Sequence, residues 1–380
     1  MTERLYEGKR ILEQRHYNKK PIIEHTIPKP IRKGSVSMRK PRALWGCALA
    51  AALLLTSCGK NNAGSSGSGS MSGAASGSSS TSQTTAAWKT GLGVITEASE
   101  EDRTGSIELV AAAVLLDGDG KISGVKLDEL ETTLSAGGDG AVNLPKDYRT
   151  KRQKGDDYPL AAASSLKKGW AEQADAFADY LIGKTPEEVS MLKLDNDGKA
   201  TDADLLSGCT IAVDRYRDAV SKACSSAKVL GAAKGNRVSL GIEAVNATSD
   251  VTATDDKDVN AEIDVSMVAV TLDADGRVTS AVADMAEPAL TVMSDGGIVA
   301  PDMVETKLEQ GDRYGMRGAS SIDKEWYEHS EGFCGYLKGK TRTEVAHIPS
   351  DGSDADLMAL CTISIEDLQK AALDAMAAVN

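Results

Sequence analysis

Few residues in this chain have both the type and the spacing for chemistry. Beyond residue 58 there are four cysteines, Cys209, Cys224, Cys334 and Cys361, and two histidines, His329 and His347. The cysteines stand too far apart for a CxxC metal or redox pair. Neither histidine has a second ligand at metal spacing or the partners of a triad, so the expectation is buried thiols acting as small hydrophobes and no metal centre. The Asp-rich turns at 117–120 and 273–276 lack a first calcium ligand, because Leu115 and Thr271 fall where an EF-hand loop needs an oxygen, and Lys193 spoils a third candidate in the same way. The two Gly-Lys-Thr triplets follow helical patterns, and Ala178 and Cys334 stand where a phosphate-binding loop needs glycine. What remains is Asp204-Leu-Leu-Ser207-Gly208-Cys209-Thr210. Here a small Ser-Gly pair precedes a hydroxyl, just ahead of a helix whose N-terminal amides would attract an anion.

The elements that must position these residues occur twice. Residues 155–189 match residues 311–345 at 17 of 35 positions without a gap, at an offset of 156. The same offset aligns the two Asp-rich turns, while an offset of 152 aligns 202–220 with 354–372. The expectation is two tandem α+β domains, 88–230 and 238–380, each a hairpin-rich antiparallel sheet against one long amphipathic helix and a C-terminal helix. The long helix carries Leu166, Trp170, Ala174, Phe177 and Leu181 in the first copy, and Ile322, Trp326, Ser330, Phe333 and Leu337 in the second. Trp170, Trp326, Phe177 and Phe333 are expected as core anchors of two separate cores. Thr185 and Thr341, each with Glu three residues on, predict capping boxes that open a short following helix.

Residues 1–57 have another character. Leu55-Thr56-Ser57-Cys58 ends an apolar run of about 13 residues that follows Arg39, Lys40 and Arg42, too short to span a bilayer. It resembles a bacterial lipoprotein signal peptide with its lipobox. That resemblance implies a signal at 38–57, lipidation of Cys58 and anchoring on the outer face of a cell membrane. Residues 1–37 read as a spurious or cytoplasmic extension, and 58–87, rich in Ser and Gly, as a disordered tether. The whole chain carries a net charge of −13, and the part after residue 57, once 12 basic and 4 acidic residues are removed, about −21. Nucleic acid is excluded on that balance.

Asp204, Ser207, Gly208 and Thr210, with the trailing helix, resemble the D-x-x-S-G-A-T motif of the FMN-binding domains found in the sodium-pumping quinone reductase and in related electron-transfer lipoproteins. In that family the FMN phosphate is esterified to the threonine, which implies Thr210 here. Cys209 replaces the alanine, and the second copy reads Ala359-Leu360-Cys361-Thr362, so Thr362 is expected to carry nothing. Most of the chain after Cys58, through KTGLGV, DGDGKISGVKLDE and the W-x6-F-x2-Y-L-x-G-K-T pattern, also resembles uncharacterised duplicated lipoproteins of anaerobic Gram-positive bacteria. The expectation is a non-catalytic envelope lipoprotein binding a small-molecule or protein partner. The alternative is an extracytoplasmic electron carrier with FMN at Thr210.

Overall fold

A computed structural model describes residues 87–377, so the signal, Cys58 and nearly all of the tether lie outside the described residues. The first copy opens with three long antiparallel strands, β1 (Lys89–Glu101), β2 (Thr104–Leu116) and β3 (Ile122–Ala136), and a short β4 (Val142–Asn143), paired in sequence order. Helical segments follow: α1 (Lys151–Lys154), α2 (Leu160–Ala163), α3 (Trp170–Leu181), α4 (Pro186–Ser190), α5 (Ala203–Leu206) and α6 (Asp214–Ser226). The second copy repeats the plan with β5 (Arg237–Asn246), β6 (Val259–Leu272), β7 (Val278–Ala286), β8 (Ala289–Val292) and β9 (Ile298–Val299). Its helices are α7 (Lys307–Gln310), α8 (Trp326–Leu337), α9 (Arg342–Ala346), α10 (Ala355–Met358) and α11 (Glu366–Ala377). The α+β class and the antiparallel sheets agree with the sequence reading. At the offset of 156, β7 and β8 together correspond to β3, interrupted at Glu287-Pro288, where proline cannot donate to a ladder.

The two central strands, β2 and β6, are apolar runs rather than alternating ones, which signals burial on both faces. On one face Val110, Ala112, Val114 and Leu116 meet α3 and α6, and Val268, Val270 and Leu272 meet α8 and α11. On the other, Leu109, Ala111 and Ala113 of β2 pack with Val265, Met267 and Ala269 of β6 in one continuous core that also holds Leu92, Leu130, Ile242 and Leu290. The molecule is therefore four layers, helix–sheet–sheet–helix, and the described residues form one compact unit. This corrects the expectation of separate cores: each sheet would expose an apolar face if the other copy were removed.

The copies face each other with approximate two-fold symmetry, β1 beside β7 and β3 beside β5. Polar contacts across the interface repeat that symmetry. Lys222 on α6 pairs across it with Glu309 at 2.5 Å while donating to the Val94 carbonyl of its own copy at 2.6 Å. In the mirrored place Gln153 donates to the Ile242 carbonyl at 2.8 Å and to Asp374 at 3.3 Å. Helix packing explains a glycine in the first strand of each copy: a Cβ on Gly93 of β1 would lie 2.2 Å from the Ala219 carbonyl oxygen, and one on Gly241 of β5 2.0 Å from that of Ala371.

The long helices begin later than their periodicity suggests. Leu166 and Ile322 precede α3 and α8, which start at Trp170 and Trp326, where Glu172 and Glu328 reach back to the N-cap backbone. Trp170, Trp326, Phe177 and Phe333 are all buried core residues, and the boxes at Thr185 and Thr341 form as their sequences indicate.

Candidate functional site

Asp202 caps α5, accepting from the backbone N–H of Asp204 at 3.0 Å and of Leu205 at 3.3 Å. Asp204 and Ser207 lie exposed on that turn, with the Ser207 hydroxyl donating to the Asp204 carbonyl at 2.7 Å. Cys209 turns inward and is buried, its thiol pushed up to about 11 by burial. Thr210 is half-buried, and both its backbone N–H (2.9 Å) and its hydroxyl (3.1 Å) donate to Oε1 of Gln173. Gln173, wholly buried on α3, passes the network on by donating to the Ser164 hydroxyl and the Lys168 carbonyl, both at 3.0 Å.

The second copy reveals what this loop is for. His329 replaces Gln173, and its Nδ1 accepts from the Thr362 N–H at 3.1 Å while Nε2 lies 3.0 Å from the Ser320 hydroxyl. Because Nδ1 accepts, the ring is neutral with its proton on Nε2, and it spans the same serine-to-threonine gap as Gln173. The glycines trade places as well. A Cβ on Gly208 would come within 2.9 Å of the Ala176 Cβ; in the second copy Leu360 takes the loop position and Gly332 the helix position, with a Cβ there only 2.4 Å from the Leu360 carbonyl oxygen. One small residue per copy is what loop–helix packing demands. The four residues singled out from the sequence are thus adjacent, but Gly208 serves packing, Thr210 spends both donors on Gln173, and the first turn of α6 carries an acid, Asp214.

The sequence reading missed a buried charge network in the first copy. Glu129 on β3 is inaccessible to solvent and faces Lys151 Nζ at 3.0 Å, Arg215 at 3.4 Å and the Tyr216 hydroxyl, which donates to it. Trp170 Nε1 donates in turn to the Tyr216 oxygen at 3.0 Å. Lys151 also pairs with Glu131 at 2.9 Å, and Arg215 with Glu108. Burial pulls the Lys151 ammonium down, but Glu129 and Glu131 outweigh it and hold it above its ordinary value. Burial, then the Glu129 charge, raises the Tyr216 phenol well above its usual range. In the second copy Met285, Asp367 and Leu368 stand at the places of Glu129, Arg215 and Tyr216, leaving only Lys307 with Glu287 at 2.7 Å. The missed signal was in the repeat alignment, as a column where Glu faces Met.

A buried acid common to both copies stays structural. Asp128 accepts from the Thr150 hydroxyl at 2.7 Å and the Arg152 N–H at 3.2 Å, and Asp284 accepts from the Leu308 N–H at 3.0 Å. Burial pushes Asp128 up to about 6 against the pull of Thr150 and the Arg152 charge; Asp284, with Leu308 in place of that arginine, goes to about 7.

The copies differ most where the edge strand meets the central helix. In the first, Asp175 binds Lys126 and Arg152, each at 3.0 Å, and Arg152 also donates to the Leu127 carbonyl at 3.0 Å, so this position is filled. In the second the corresponding residues are Glu331, Val282 and Leu308, and a cleft of about 240 Å³ opens between β7 and α8. Its lining includes Leu230, from the segment joining the copies, and the buried Cys334 and Ser330. Lys228, Glu331 and Lys338 stand exposed at the mouth, with Lys228 and Glu331 paired at 2.9 Å. The Cys334 thiol is pushed up to about 12 by burial and is no nucleophile.

No family model matches this chain, and no solved structure matches it. A chlorophenol reductase from Desulfitobacterium hafniense is 49% identical over 41 residues, a stretch that makes up 11% of this chain and spans only 12% of that protein's length.

Proposed function

We propose that this is a non-catalytic, lipid-anchored protein of the cell envelope whose duplicated domain binds a ligand or partner on the outer face of the membrane. The observation that carries the binding role is the open apolar cleft of the second copy, at a place the first copy fills with ion pairs. The commitment of Glu129, Lys151, Arg215 and Tyr216 to one another in the core supports a structural rather than catalytic use of the buried charges. The Leu55-Thr56-Ser57-Cys58 sequence supports the anchor. Palmitate labelling of the native chain, abolished by Cys58→Ser, is the expected result; labelling that survives the substitution overturns the anchor.

The alternative, an extracytoplasmic electron carrier with FMN on Thr210, rests on the sequence motif of Asp204, Ser207, Gly208 and Thr210. Intact mass after export with a flavin transferase decides it. An FMN adduct lost in Thr210→Ala supports the carrier, and an unmodified chain beside an active transferase removes it.

A further inference from the structure

We propose that the cleft between β7 and α8 takes a small apolar molecule bearing a single carboxylate, its tail between Val282, Leu308 and Leu230 and its head group at Lys338. The inference rests on the binding reading above and names the ligand class. Lys126 and Arg152 span the first copy's equivalent space and Asp175 locks them there, whereas Val282 and Leu308 are too short to do so and leave an apolar hollow. A cleft of about 240 Å³ falls below the ~300–1,000 Å³ of sites that take drug-sized ligands. That suits a short-chain acid rather than a peptide or a flavin.

The charge at the mouth selects the head group. Lys338 follows the last residue of α8, is exposed, and has no ion-pair partner among the described residues; Lys228 shares its charge with Glu331. The mouth thus carries one uncompensated positive charge on a strongly acidic molecule, about −21 after residue 57, a balance that admits one carboxylate and disfavours a polyanion. Burying the tail against Leu308 and Val282 supplies most of the affinity, and Lys338 supplies selectivity between an acid and its neutral analogue.

The experiment titrates the full chain carrying Cys58→Ser with hexanoate and with 1-hexanol, followed by methyl NMR. Expected are saturable shifts at Leu308, Val282 and Leu230, with hexanoate bound about five-fold tighter than hexanol, the size of an exposed charge pair. Lys338→Met should erase that preference while leaving hexanol binding unchanged. Val282→Lys with Leu308→Arg copies the first copy's filling and should abolish both. Should that double variant fold poorly, Lys338→Met, at an exposed position, decides the matter alone. Equal binding of acid and alcohol to the native chain, or an acid preference that survives Lys338→Met, overturns the ligand class. Saturable shifts confined to methyls outside the cleft overturn the site while leaving a binding protein, and no saturable shift anywhere overturns the site and removes the support it gives to the binding reading. Palmitate labelling at Cys58 tests the anchor independently.

Discussion

The two copies share one plan of elements, with β3 split into β7 and β8 in the second, yet fill equivalent spaces by opposite means. Between β3 and the helices the first copy uses Glu129, Lys151, Arg215 and Tyr216, all hydrogen-bonded or paired; the second uses Met285 and Leu368 and keeps a single ion pair. The fold therefore accepts either a paired polar network or an apolar plug at one position, and a half-finished network is the arrangement expected to cost stability. The loop before the C-terminal helix teaches the same lesson, with Gly208 against Ala176 in one copy and Leu360 against Gly332 in the other.

That comparison breaks most visibly at Glu129. Glu129→Met copies Met285 but strands Arg215 without its buried partner, so a loss of about 3–5 kcal/mol is expected in urea unfolding. Adding Arg215→Asp and Tyr216→Leu, the second copy's residues, should restore at least half of it. No recovery would mean that the two solutions are not interchangeable.

A cut at the shared core comes next. Leu109 is fully buried between the sheets, and Leu109→Ala should cost about 2–5 kcal/mol. Because both sheets contribute to that core, a single transition should shift as a whole, whether read by tryptophan fluorescence or by far-UV circular dichroism. Two separable transitions would restore the picture of independent domains.

Gly208→Leu should cost about 1–3 kcal/mol by overpacking against Ala176, and Ala176→Gly added to it should relieve the clash in the way Gly332 does. If the second change does not help, the exchange of small residues between copies is coincidental.

The smallest expected effect is in pH dependence. Burial, then the Lys324 charge, hold the His329 imidazole below its ordinary 6.5, so the unfolded chain takes up the proton more readily than the native one. The stability from the neutral ring is full above pH 6.5 and is lost as pH falls below it. Asp284 works in the opposite sense. Burial raises its carboxyl from 3.8 to about 7, so its contribution is full in acid and lost as pH rises through that window. His329→Gln, which installs the first copy's residue, should remove the histidine part and leave stability falling less steeply below pH 6.5. An unchanged profile would mean that the Thr362 N–H bond does not depend on the neutral ring.

Much of the fold was legible because its signals are local. Helical spacing at Trp170, Phe177 and Leu181, the Thr185 and Thr341 boxes and the Asp-rich turns each depend on residues a few positions apart. The candidate site was legible only as a string: Asp204, Ser207, Gly208 and Thr210 are neighbours in sequence, but their partners Gln173 and Ala176 come from a helix some thirty residues earlier. A glycine that makes room for another element looks identical, in sequence, to one that makes room for a phosphate.

By itself the sequence determined the duplication, the α+β composition of each copy and the identity of the aromatic anchors, since periodicity and repetition are properties of the chain. It also held a clue to double burial, in the unbroken apolar runs Val110–Leu116 and Met267–Val270, without saying what lay on the second face. Only the tertiary structure decided that the other copy covers it, that Glu129 meets Lys151 and Arg215, and that Val282 and Leu308 leave a cleft where Lys126 and Arg152 close one. Those outcomes depend on which side chains meet across sheets and helices, a matter of packing between distant residues that no local pattern encodes.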